Sequence, residues 1–194
     1  MFMGLVGSEM CIRDRTFPHP RDFVQVKEIS SGNSFEIDDI RISCCENTHY
    51  RSEDRFGSDG PISLSLRFDA PDRSIVYTGD TGPCRDVEDL AKGAQLLVGE
   101  MMVAEKIIAQ LQAKNPHMPP ERIAMMGSHL EQHHLSPEQL GELAGRAGVE
   151  HLVAVHIPLD SINSETAPDY AARISKDFSG KVTICLLYTS DAAD

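Results

Sequence analysis

No unbroken apolar run reaches 18 residues, so the chain has no candidate membrane-spanning helix. No Cys-x-x-Cys pair occurs either. The five cysteines, Cys11, Cys44, Cys45, Cys84 and Cys185, follow no paired spacing, which argues against a disulfide framework and for a reduced, cytoplasmic chain. Neighbours Cys44 and Cys45 would face opposite sides of a strand, an arrangement for packing rather than for sharing a metal. Basic residues are scarce: 18 lysines and arginines stand against 30 acids, a net charge of −12. Phosphate binding normally needs a basic face, so nucleic acid is the less favoured substrate. The first ten residues lack the basic start of a secretory signal, and there are no internal repeats or low-complexity tracts.

What is present has the proportions of a soluble α/β domain, with 41% apolar residues to build a core. Period-two alternation predicts strands at 23–29, 35–37, 40–46, 62–68 and 74–80, separated by polar turns at 30–33, 38–39 and 70–73. Continuous apolar runs at 95–100 and 151–157 predict strands covered on both faces. Helices are expected over 86–94, 101–114, 136–147 and 168–178, with a last strand at 181–184. Ser136, Pro137 and Gln139 form a capping box at the start of the third helix, and Gly148 ends it. Asn115-Pro116, Pro119-Pro120 and Gly127 predict a loop-rich insert between 115 and 134. Hairpins followed by β-helix alternation describe half of a four-layer αββα sandwich.

Four residues that carry chemistry fall at strand ends or in the loops leaving them: His49, Asp80, His134 and His156. Side chains there converge without disturbing the core. Imidazole and carboxylate are the donors that a hydrolytic zinc, manganese or iron pair needs. Near them, His129 and His133 are read as surface or supporting residues, because Gly127 and Pro137 leave little room for a helix that would pair them. Both remain alternatives to His134. Glu100 either orients a ligand histidine or caps the helix that follows it. Cys84 is read as a packing residue and His151 as solvated.

The strings IRISCCENTHY, SIVYTGDTG and HLSPEQLGELAGRAGVEHLVAVHIP, in that order, resemble the metallo-β-lactamase superfamily, nearest its ribonuclease Z-like and arylsulfatase-like branch, over residues 23–160. The resemblance implies the C-terminal half of the sandwich, with two divalent metal ions, zinc first and manganese or iron next. His49 then matches the histidine on the first metal, Asp80 the bridging aspartate and His156 the histidine on the second metal. His134 matches the histidine that protonates the leaving group. The motif H-x-H-x-D-H, which in that family supplies most ligands of both metals, has no counterpart here, since His19 stands alone. The expectation is a chain inactive as given, from a parent that hydrolyses an ester or phosphodiester of a small molecule. Transfer-RNA 3′ processing is the second reading, because the RNA-gripping arm expected between His49 and Asp80 has no room. A non-catalytic binding module is the third, and a homodimer stays open. Residues 3–15 and 185–194 resemble translated sequencing-adapter DNA, which places the domain at 16–183 between tails at 1–15 and 184–194.

Overall fold

A computed structural model of the chain describes residues 24–50, 60–158 and 162–186. Twelve elements occur among them. β1 (Ser34–Ile37), β2 (Ile40–Glu46), β3 (Leu64–Asp69) and β4 (Ser74–Tyr77) are followed by α1 (Arg85–Ala91), β5 (Leu96–Glu100), α2 (Ala104–Lys114) and α3 (Pro120–His133). The chain continues through α4 (Pro137–Ala147), β6 (His151–Val155), α5 (Ala167–Ile174) and β7 (Lys181–Ile184). The strands form one sheet in sequence order. β1 to β4 pair antiparallel and β4 to β7 parallel, so the register Val76↔Leu97↔Leu152↔Val182 runs straight across the parallel half.

Period two in the strands decides where the core sits. Val76, Leu97 and Leu152 are fully buried, whereas Ile75, Leu96, Val98 and Val153 beside them are only half-buried. The buried rows face α1, α4 and α5, whose Val87, Leu140, Leu143 and Ile174 complete the core. One layer of helices on one face of a mixed sheet is half of an αββα sandwich, as expected. The two ends of α4 follow the sequence signals. Ser136 Oγ accepts from Gln139 N, Gln139 Oε1 accepts from Ser136 N, and Gly148 stands beyond the last turn.

Two expectations fail. Residues 24–29 form no strand, and Val24 and Val26 are exposed. Alternation alone does not make a strand: 24–29 pairs with no strand among the described residues, and β1 is the edge of the sheet on that side. Residue 23 lies outside the described residues. The expected loop at 115–134 instead contains α3, 14 residues long. Pro119 stands before its first turn and Pro120 at its first position, where a missing N–H costs nothing. Gly127 lies within the helix and faces Ile108 of α2. Smaller shifts shorten the remaining elements. Asp80 stands three residues past the end of β4, and 101–103 is buried non-helical chain ahead of α2. The segment 51–59 and the chain before residue 24 lie outside the described residues, as do 187–194; within the predicted tail, the Cys185 N–H bonds to the Ala154 carbonyl beside β7.

Candidate metal centre

The loops that leave β2, β4 and β6 and the C-terminus of α3 meet at one end of the sheet. Asn47, just past β2, is 1% exposed and holds this corner. Its side-chain amide donates to Ser65 Oγ and to the Thr78 carbonyl, and its Oδ1 accepts from the His49 N–H at 3.1 Å. Thr78 and Thr81 bracket Asp80 and are themselves fully buried. The Thr81 N–H donates to Glu100 Oε1 at 2.7 Å, and the Glu100 N–H donates to Thr78 Oγ1 at 3.2 Å. Between them Asp80 projects outward, about one-third exposed.

Gly82 fixes the distance between this loop and α3. A Cβ at that position would lie 2.0 Å from the Gln132 carbonyl oxygen, so only glycine permits the approach. The same approach brings the last turn of α3 and the residue that follows it, His134, over the loop. His49, Asp80 and His134 consequently place one ligand atom each within 4.8 Å of one another. His156 enters from the end of β6, where its Nε2 lies 3.6 Å from Asp80 Oδ2 and its ring is parallel to that of His134 at 6.3 Å. It is half exposed and holds φ +57, a left-handed backbone that is uncommon for any residue but glycine.

Both inner histidines have one ring nitrogen already committed. His49 Nδ1 lies 3.2 Å from the His133 carbonyl, which can only accept, so this nitrogen carries the proton. His134 Nδ1 lies 2.9 Å from Glu100 Oε2, and the carboxylate is 1% exposed. A histidine whose Nδ1–H is held by a carbonyl or carboxylate offers Nε2 as an oriented lone pair, the arrangement that serves metal ligands. Two such imidazoles beside one carboxylate fit a borderline divalent cation by donor chemistry. Burial pushes the Glu100 carboxyl up, and the hydrogen bonds and charge it receives from His134 and Thr81 offset this only in part. For His134, burial works against the proton. The Glu100 hydrogen bond and the charges of Glu100 and Asp80 outweigh it, so the imidazole lies above its ordinary range.

All four residues singled out from sequence are thus in one place. His133 is not a surface residue: its side chain is buried and its carbonyl positions His49, because α3 extends to this point. His129 is exposed, one turn back, with its ring 4.4 Å from that of His133. His151 is tied to Thr183 Oγ1 at 2.9 Å rather than solvated, since β7 lies beside it. Cys84 is a core residue at 4% exposure. Asn47, Thr81 and the orienting role of Glu100 were not resolved from sequence, though all but Glu100 lie inside the strings that carried the resemblance.

Among proteins of known sequence, the chain is 26% identical over 173 residues to the ribonuclease Z of Mycobacterium tuberculosis strain H37Rv, spanning 88% of this chain and 54% of that protein. It therefore covers about half the length of that relative. Among solved structures it resembles the metallo-beta-lactamase fold protein YhfI from Bacillus subtilis, with TM-score 0.55 and 15% identity over 81% of this chain and 51% of the other. It also resembles the Zn(2+)-bound PqqB from Methylobacterium extorquens, with TM-score 0.51 and 14% identity over 81% and 52%. These two similarities concern the fold. Residues 12–157 match the family described as the beta-lactamase superfamily domain, and the chain belongs to that superfamily, in its metallo-β-lactamase fold.

Proposed function

We propose that this chain provides part of a metal-dependent hydrolytic site acting on an ester or phosphodiester of a small molecule. One observation carries the reading: two imidazoles, each fixed through Nδ1, converge with Asp80 at the end of the sheet. His49, Asp80 and His156 would hold divalent metal, zinc by donor preference, with manganese or iron next. Bound there, such a metal supplies hydroxide near neutral pH and steadies developing oxyanion charge. His134 would deliver a proton to the leaving group from Nε2, with Glu100 favouring the protonated imidazole and aiming it by holding Nδ1. Cys44, Cys84 and Cys185 stand as thiols, which fits a reducing compartment such as the cytoplasm.

The close grouping of His134 with His49 and Asp80 favours a second assignment, in which His134 is a ligand. Zinc titration separates the two. A proton donor at His134 leaves zinc affinity within about threefold in His134→Ala and greatly reduced in His156→Ala, whereas a ligand gives the reverse order. Catalytic zinc normally holds three or more protein ligands, and two ions would have to share these four side chains. The chain as given should therefore lose its zinc on gel filtration; one or two ions retained per chain would sink that expectation.

On substrate, the similarity to ribonuclease Z supports transfer-RNA 3′ processing as the alternative. The net charge of −12 supports the small molecule. The deciding measurement uses the chain extended at its N-terminus by an H-x-H-x-D-H segment taken from a metallo-β-lactamase-fold relative. Metal-dependent turnover of an aryl ester or bis-aryl phosphodiester that disappears in Asp80→Ala supports the first reading. Cleavage of precursor transfer RNA alone supports the second, turnover that survives Asp80→Ala removes this site from the chemistry, and no turnover at all leaves only a binding module.

A further inference from the structure

A cavity of about 610 Å³ opens between α2 and α3 and ends at His134. Its walls are largely apolar: Met102, Ile108, Ile123 and Leu130 line it, Ala124 and Gly127 leave space on the α3 side, and Ser128, Ser136 and Gln139 add neutral polar groups. A cavity of this size suits a small organic ligand. The charged side chains in its lining are Glu105 and Glu131, both exposed and so at its mouth, and no lysine or arginine contributes. Glu105 is neutralised by Arg173 Nη1 at 2.8 Å, while Glu131 has no ion-pair partner among the described residues. A phosphate or carboxylate entering here would meet carboxylate repulsion at the mouth, and the imidazole at the inner end, His134, is already paired with Glu100.

We infer that this cavity is a binding site for the apolar, uncharged or cationic portion of an organic ligand, and that it delivers this portion to His134. The second clause rests on the reading of His134 as proton donor, in which the occupant is the leaving group. The first does not, because it follows from the lining alone. Gly127 is the point of control. A Cβ there would meet Ile108 at 3.8 Å, ordinary contact, so a small side chain is accommodated and a long one projects across the space. Leucine is also a far better helix former than glycine, so Gly127→Leu fills the cavity without weakening α3.

Three probes of one shape and different charge test the inference on the metal-free full chain: 2-naphthol, 2-naphthylmethylammonium and 2-naphthoate, followed by NMR. The neutral and cationic compounds should shift resonances of Ile108, Ile123 and His134 and leave His151 unmoved. 2-Naphthoate should bind at least tenfold more weakly. Gly127→Leu should abolish binding of all three, as should Ala124→Leu on the same wall, with α-helical circular dichroism retained. Glu131→Gln should remove the advantage of the cation over the neutral probe. Equal affinity for the anion, undiminished binding in both leucine variants, or shifts confined to another part of the chain would overturn the inference. Binding as expected, with no hydrolysis by the extended chain, would keep the cavity and reject the catalytic reading.

Discussion

His134 and Glu100 form the most consequential pair of side chains. Each is buried; Glu100 raises the His134 imidazole, while burial raises the Glu100 carboxyl and His134 offsets that only in part. In the metal-free chain the His134 imidazole should titrate above the ordinary value of about 6.5. Its contribution to stability is then complete below that pH and is lost as the pH climbs through the raised folded value. Glu100→Gln removes the charge while leaving the burial, so the His134 midpoint should fall below the ordinary value, as read by imidazole NMR. A midpoint unchanged by the substitution would show that Glu100 does not set it. Such residues differ in how far sequence discloses them. The grouping of His49, Asp80, His134 and His156 is legible because all four stand at or just past the ends of elements in recognisable strings, although a lone strand-end histidine or a turn aspartate is more often structural. Asn47 and Thr81 are not, since a buried amide or hydroxyl acquires its role only from the carbonyls and carboxylates that folding brings to it.

At the scale of elements, most of the sheet follows from alternation, because the buried rows of β4, β5 and β6 need helices on one side. The helix α3 was hidden by its own punctuation: a proline pair that starts it and a glycine that lies against its neighbour have the same composition as a loop. That helix matters because it carries His134 to Asp80, and Gly82 is where the two meet. Gly82→Ala should cost about 1–3 kcal/mol in chemical denaturation, the range for overpacking, and should weaken zinc binding in parallel. A second tie joins α4 and α5. Arg173 Nε and Nη2 grip both oxygens of Glu138 at 2.7 and 2.9 Å, and Nη1 reaches Glu105 on α2. The Arg173 guanidinium holds the Glu138 carboxyl below its ordinary range. Stability from this pair is therefore present above the unfolded carboxylate pKa and disappears as pH falls through the lowered folded value. With both side chains partly solvated, Glu138→Gln should cost about 0.5–1 kcal/mol at pH 7, and the difference from the parent chain should vanish in acid.

For the molecule as a whole, helices clothe one side of the sheet, and the other side presents Phe68, Ile75, Leu96, Val98 and Val153 in adjacent strands. Contiguous apolar area of this kind favours contact between molecules. The net charge of −12 opposes such contact through mutual repulsion. Colloidal behaviour is then a competition between a short-range attraction indifferent to electrolyte and a repulsion that electrolyte removes, since the Debye length shrinks from roughly 30 Å at 0.01 M to about 8 Å at 0.15 M. Sedimentation should accordingly find separate particles in dilute buffer and progressive clustering as sodium chloride is added, with Val98→Lys and Val153→Lys together restoring dispersal. The opposite trend, dispersal by salt, would mean that ionic contacts rather than this apolar β surface draw the particles together.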